Sequence, residues 1–106
     1  MNNDDPHANA LALLMSILDA RQKQEWNLHQ YVDVPSHLYR GICYRIKNYE
    51  MANWVEVRRQ WLNQSWPIHE YCITPGYLAW PLEDRVATIV LLARHREHDL
   101  RAYLGC

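Results

Sequence analysis

The sequence predicts an all-α protein: a small bundle of about four helices, completed by an ordered loop rich in proline and aromatic residues. Apolar residues recur at helical spacing near both ends of the chain, and two central segments also fit that spacing. Residues 65–81 break it with three prolines and a glycine. A short hairpin at 66–80, giving an α+β class, is the alternative. With 106 residues the chain is expected to be a single domain, 1–106, in which residues 1–5 form a disordered tail.

The first helix is predicted from Asp5 to about Gln24. Asp5 can act as its cap, and Pro6 suits the first turn because a proline lacks the N–H that would be unpaired there. Residues 25–35 either extend this helix or form a loop, and Pro35 ends the segment. The apolar face consists of Leu11, Leu14, Ile17 and Leu18.

Two central helices are predicted next. The second, at 37–50, begins after Ser36 and has one apolar face. The third begins near Asn53, with Glu56 at the capping-box spacing. Gly41 would cost about 1 kcal/mol inside the second helix, so we expect the aromatic loop to pack closely over it. The apolar faces are Tyr39, Ile42, Ile46 and Tyr49 in the second helix and Trp54, Val57 and Trp61 in the third.

The last helix has the strongest pattern. Pro81 falls in its first turn, and Glu83 and Asp84 follow where the helix dipole favours acidic side chains. Arg101 lies in the last turn and Gly105 is placed to end the helix. The predicted buried stripe is Leu82, Val86, Ile89, Ala93 and Leu100.

Composition excludes several classes of protein. The net charge of -1 does not favour general adhesion to nucleic acid or to an acidic membrane. The apolar run at 86–93 is too short to cross a bilayer, and the polar, acidic start does not resemble a signal peptide. Three cysteines without paired spacing favour free thiols. We therefore expect a protein of a reducing cytoplasm with no membrane partner.

Catalysis and metal binding have little support. His95 and His98 are three residues apart, whereas zinc motifs of the HExxH type need four, and no Cys-x-x-Cys occurs. No serine lies in a G-x-S-x-G turn. Cys43, next to an apolar residue, is interpreted as a buried, unreactive thiol. We expect no enzyme activity, no metal and no cofactor.

Binding is the favoured function. Five tryptophans and seven tyrosines accompany the absence of phenylalanine, and residues 40–59 hold five basic but only two acidic side chains. On a helix, Arg40, Tyr44 and Lys47 would share one face that could grip phosphate or carboxylate groups. A solvated face with a Lys47–Glu50 ion pair is the alternative. The candidate partner-binding residues are Arg40, Tyr44, Lys47, Arg58, Arg59, Trp66 and Trp80.

A sequence pattern over about 39–104 resembles small accessory proteins of tailed bacteriophages and prophages. It comprises an Arg-Gly-Ile-Cys start, a later Trp-Pro pair and a Tyr-x-x-x-Pro stretch. In those proteins Ser-Gly follows Trp-Pro, whereas this chain has Ile68 and His69. The resemblance implies a phage or prophage accessory protein made in the cytoplasm of a bacterial host cell, and it carries no activity. The matching residues are Arg40, Gly41, Ile42, Cys43, Trp66, Pro67, Tyr71 and Pro75.

The resulting hypothesis is a stoichiometric binder that inhibits a bacterial host macromolecule by occlusion. The partner would be a host protein or protein–nucleic acid complex, for example in an anti-defence role of the anti-CRISPR type, with aromatic and arginine anchors carrying the affinity. The alternative is a small-molecule binder that sequesters a nucleotide signal. It would need a concave pocket, which in so short a chain is expected at the interface of a homo-oligomer.

Overall fold

A computed structural model describes residues 5–48, 54–72 and 82–104, without the side chains of His7, Trp54, Cys72, Leu82 and Tyr103. Its four strands form one antiparallel sheet in the order β1-β2-β3-β4. Trp80, Pro75, Pro81, Gly105 and the tail at 1–4 lie outside the described residues. The elements in chain order are α1 (Pro6–Ile17), α2 (Ala20–His29), β1 (Tyr31–Pro35), β2 (Ile42–Lys47), β3 (Trp54–Trp61), β4 (Gln64–Cys72), α3 (Leu82–His95) and α4 (Glu97–Tyr103).

The prediction of an all-α helical bundle is wrong. The α+β class given as the alternative is the observed class, but the sheet is much larger than one hairpin. Its last strand begins at Gln64 and pairs along its length with β3. Strand formation at the centre of the chain, where two helices were expected, accounts for the difference.

The expected second helix is β2, because its residues follow a period of two. Tyr44 and Ile46 are fully buried on the face that carries the core, while Arg45 and Lys47 lie on the opposite face. The helical spacing of Tyr39, Ile42 and Ile46 is coincidental, because the segment alternates between two faces of a strand. Tyr44 therefore pairs with Val34 and Val57 across the sheet.

The expected third helix is β3, so the capping box at Asn53 and Glu56 is also wrong. The capping box in the described chain belongs to α2. There Asp19 Oδ1 accepts from the N–H of Gln22 at 2.8 Å, and Gln22 Oε1 accepts from the N–H of Asp19 at 3.1 Å. This cap begins a new helix, which is why the predicted helix from Asp5 to Gln24 is divided into α1 and α2.

The core lies between one face of the sheet and the helices. α3 packs on β1 and β2, and α1 packs on α3. The predicted stripe of the last helix is confirmed by Val86, Ile89, Ala93 and Leu100, each at most 3% exposed, although the helix is interrupted at Arg96. Leu11, predicted on the buried face of the first helix, is exposed.

Candidate binding surface

Two chain reversals lie side by side at one end of the sheet. Residues 36–41 connect β1 to β2, and residues 62–63 connect β3 to β4. The carbonyl of Gly41 accepts a 2.7 Å hydrogen bond from the N–H of Gln60. We call this region, comprising residues 36–42 and 59–68 with Arg101 of α4, the turn end.

Gly41 has a conformational role at the turn end. Its φ of +76° lies in the left-handed region, which other residues adopt at a cost. A Cβ placed there would be 3.4 Å from the Gln60 carbonyl oxygen, an ordinary contact. The expectation that this glycine lies in a helix is therefore wrong, because it lies in the turn into β2. Most of the aromatic loop expected to pack over it, at 73–80, lies outside the described residues.

The β3–β4 connection also departs from ordinary backbone geometry. Leu62 has a φ of +55°, which is unusual for a leucine and costs on the order of 1 kcal/mol or more. Leu62 is 84% exposed and its neighbour Trp61 is 66% exposed. A strained turn thus presents two large apolar side chains to solvent.

The turn end concentrates exposed apolar side chains. Six of the ten exposed large hydrophobic residues among those described belong to it, although it is a small part of the chain. These six are Leu38, Tyr39, Trp61, Leu62, Trp66 and Ile68.

A groove of about 440 Å³ crosses the turn end. Aliphatic side chains and three arginines share its lining. Arg40 and Arg59 are exposed, and neither forms an ion pair or side-chain hydrogen bond with any residue that the structure describes. The lining residues are Leu38, Tyr39, Arg40, Ile42, Val57, Arg59, Ile68 and Arg101.

Glu97 of α4 holds the 36–41 connection in place. Its carboxylate accepts from Ser36 Oγ at 2.5 Å and from the N–H groups of His37 and Leu38 at 2.7 and 3.1 Å. The buried Tyr44 hydroxyl donates to it at 2.5 Å. Burial disfavours the charged carboxyl, but the hydrogen bonds from Ser36 and Tyr44 and from the backbone outweigh burial and lower the pKa of Glu97.

Arg101 joins this network to the groove. Its Nη1 donates to the Tyr44 hydroxyl at 3.2 Å, and its guanidinium carbon lies 4.8 Å from the centre of the Tyr39 ring. The buried network therefore orients both an aromatic ring and a cation at the turn end.

The structure brings together only part of the predicted site. Arg40 and Arg59 line one groove, and Trp66 lies opposite Arg59 in the register of β3 and β4. The helical face predicted for Arg40, Tyr44 and Lys47 is wrong, because a strand places Tyr44 in the core and Lys47 on the opposite face. Trp80 lies outside the described residues.

Lys47 and Arg58 belong instead to an ion-pair network on the face of the sheet away from the helices. Lys47 Nζ lies 2.6 Å from Glu56 and 3.3 Å from Glu70, and Arg58 also pairs with Glu56. Burial favours the neutral form of Glu56, but the hydrogen bonds from Lys47 and Arg58 outweigh it and lower the Glu56 pKa. Both cations thus pair with acidic residues within the sheet. The Lys47–Glu50 pair expected on a helix involves Glu50, which lies outside the described residues.

Several residues of the turn end were missed from the sequence. The segment 54–61 alternates between core residues such as Val55 and Val57 and polar residues, and Leu62-Asn63 then interrupts it. That alternation is a hairpin signal, and it would have placed Trp61 and Leu62 at a tip. No local sequence pattern identifies Glu97, because its hydrogen-bond partners in the 36–41 connection lie about sixty positions away in the chain.

Neither a reactive thiol nor a metal-binding cluster is found among the described side chains. Burial, with the nearby Asp33 carboxylate, raises the pKa of the Cys43 thiol to about 11, as expected for an unreactive thiol. No group of three or more His, Cys, Asp or Glu side chains suited to a metal ion occurs in the described ranges. Within the same ranges, no helix is both long and apolar enough to cross a membrane.

Comparison with known proteins found no matching family model, no matching curated protein and no matching solved structure.

Proposed function

We propose that the chain is a non-catalytic binding protein that attaches to a protein partner, or to a protein–nucleic acid complex, through the turn end. The observation that carries the proposal is the clustering of exposed apolar side chains beside arginines at that end. Large exposed apolar patches on a soluble protein typically mark interaction sites. Trp, Tyr and Arg are also the residues that most often dominate binding energy at protein interfaces.

The two edges of the sheet favour binding through the turn end over addition of a strand from the partner. The β1 edge is covered by α2, since Gln22 Nε2 donates to the Asp33 carbonyl at 3.1 Å and Glu25 lies beside the Asp33 N–H. The β4 edge contains Pro67, which cannot donate a backbone hydrogen bond, next to an irregularity in register.

Occlusion is the mechanism that follows from such a surface. A turn end that covers a functional site on the partner would inhibit the partner without chemistry. A host macromolecule as the target, and an anti-defence role, remain the hypotheses drawn from the bacteriophage resemblance, because no comparison bears on them.

Nucleotide binding is the second candidate function. The groove volume of about 440 Å³ falls within the usual range for small-molecule sites, and arginines next to Tyr39 suit phosphate and a base. Against it, the floor of the groove is aliphatic and Arg101 already lies over the Tyr39 ring. Calorimetric titration with nucleotides tests this candidate directly.

The main test is affinity capture from a bacterial lysate with matched variants. We expect the wild type to retain a stoichiometric partner that Trp66→Ala and the double variant Arg40→Ala/Arg59→Ala lose. Arg21→Ala and Leu28→Ala alter exposed residues of α2 and serve as controls that retain it. Identical capture by all variants would contradict the proposed surface.

A further inference from the structure

Building on the proposed function, we propose that the groove of the turn end holds an acidic peptide segment of the partner protein. An apolar side chain of that segment would rest on the aliphatic floor, and its carboxylates would pair with the surrounding arginines.

The floor of the groove suits an apolar anchor. Ile42, Val57 and Ile68 line it from three different strands. Val57 is nearly buried at 7% exposure, whereas Ile68 is 48% exposed. An aliphatic or aromatic side chain seated here would cover surface that is now in water, which is the main favourable term in such contacts.

The charges around the floor suit carboxylates. Arg40 and Arg59 have no ionic partner among the described residues, and Arg101 contributes a third guanidinium. Glu97, which holds the 36–41 connection beside the groove, is buried, and its oxygens are occupied by Ser36, Tyr44 and the backbone. Planar guanidinium groups without a counter-charge match carboxylates through paired hydrogen bonds.

A peptide fits this arrangement better than a nucleic acid does. A base held in the groove would have to stack on Tyr39, which lines it, and Arg101 already lies over that ring at 4.8 Å. The exposed Trp61 and Trp66 continue the apolar surface beyond the groove. Apolar positions that alternate with acids along an extended segment would satisfy both the floor and the arginines.

Selection of short random peptides on the immobilised protein tests the proposal without knowledge of the partner. We expect the selected peptides to be acidic and to contain a large apolar residue. Replacing their Asp and Glu by Asn and Gln should lower affinity at least about tenfold, and so should the variant Arg40→Ala/Arg59→Ala. Arg21→Ala is the matched control and should leave affinity unchanged. Backbone amide shifts on titration should change at residues 36–42 and 59–68.

The outcomes separate this inference from the proposed function. Selected peptides that are uncharged but require Trp66 would overturn the acidic ligand and leave binding through the turn end intact. Peptides that bind all variants equally would overturn both. Failure to enrich any peptide, or displacement of the selected peptides by duplex DNA or a nucleotide at lower concentration, would overturn the acidic ligand.

Discussion

At the scale of single residues, Glu97 connects α4 to the 36–41 connection of the turn end. It is 6% exposed, and its carboxylate accepts hydrogen bonds from Ser36, Tyr44 and two backbone N–H groups. A buried carboxylate with this many donors replaces hydration by protein contacts. Its removal should affect both stability and the shape of the groove.

Glu97→Gln is therefore expected to lower the free energy of unfolding at neutral pH by about 2 kcal/mol, since it removes charge-assisted hydrogen bonds. The folded-state pKa of Glu97 lies below the usual 4.5, so the carboxylate stabilises the fold above that pH. This contribution is lost as pH falls through the lowered pKa. Urea unfolding at neutral and acidic pH measures both effects.

The difference between wild type and Glu97→Gln should consequently shrink in acid. Glu70→Gln, on an exposed residue with one 3.3 Å ion pair, is the matched control and should change stability little. A Glu97→Gln effect that is equal at both pH values would contradict the assigned role of the charge.

Gly41 provides a second residue-scale prediction. Gly41→Ala should destabilise the protein by about 1 kcal/mol, because alanine at φ of +76° is disfavoured while the space for its Cβ is adequate. Gly41→Asn should cost less, since asparagine tolerates the left-handed region better. Thermal or chemical unfolding of both variants distinguishes conformational strain from crowding, which would penalise the larger asparagine more.

At the scale of elements, the sequence predicted the helices at the ends of the chain far better than the sheet. The last helix was predicted from apolar spacing over several turns, and its buried residues Val86, Ile89 and Ala93 agree. In β2, a few apolar residues satisfied both a helical and an alternating period. Long-range pairing with β1 and β3 decided between them, and no local pattern contains that information.

The candidate site was predictable to a similar extent. Arg40, Arg59 and Trp66 were chosen for residue type and do meet at the turn end. Tyr44 and Lys47 were chosen for a shared helical face that does not exist. In a strand, side chains an odd number of positions apart lie on opposite faces, so Tyr44 and Lys47 are separated. The wrong secondary structure therefore led to a wrong prediction of the site.

The β3–β4 hairpin carries a prediction that links strain to function. Leu62→Asn should stabilise the protein by about 0.5–1 kcal/mol, because asparagine adopts a positive φ more readily than leucine. It should also weaken partner capture, because the exposed leucine belongs to the proposed binding surface. Unfolding and capture experiments on the same preparation measure the two effects.

Leu28→Asn is the control for loss of an exposed leucine, since Leu28 is 67% exposed on α2, away from the turn end. It should leave capture unchanged. If Leu62→Asn stabilises the fold and capture is also unchanged, the strained turn has no part in binding, and the interface must depend on Trp66 and the groove.

At the scale of the whole molecule, both edges of the sheet have features that hinder pairing with a strand of another molecule. The turn end, in contrast, exposes large apolar side chains. α2 satisfies the backbone of Asp33 at the β1 edge through Gln22 and Glu25. Pro67 interrupts β4, and edge strands commonly use proline in this way to prevent pairing between molecules. Both features disfavour pairing along the edges of the sheet, which agrees with the proposal that a partner binds at the turn end.

Pro67→Thr tests this division of the surface. Threonine restores a backbone donor and favours strand geometry, so we expect concentration-dependent association beyond that of the wild type in sedimentation velocity. Pro35→Thr is the matched control, because Pro35 ends β1 and α2 already covers that edge of the sheet. This variant should not associate. Equal association of both variants would show that α2 does not protect the β1 edge. If neither variant associates, the irregular register of β4 next to Pro67 suffices to keep its edge from pairing.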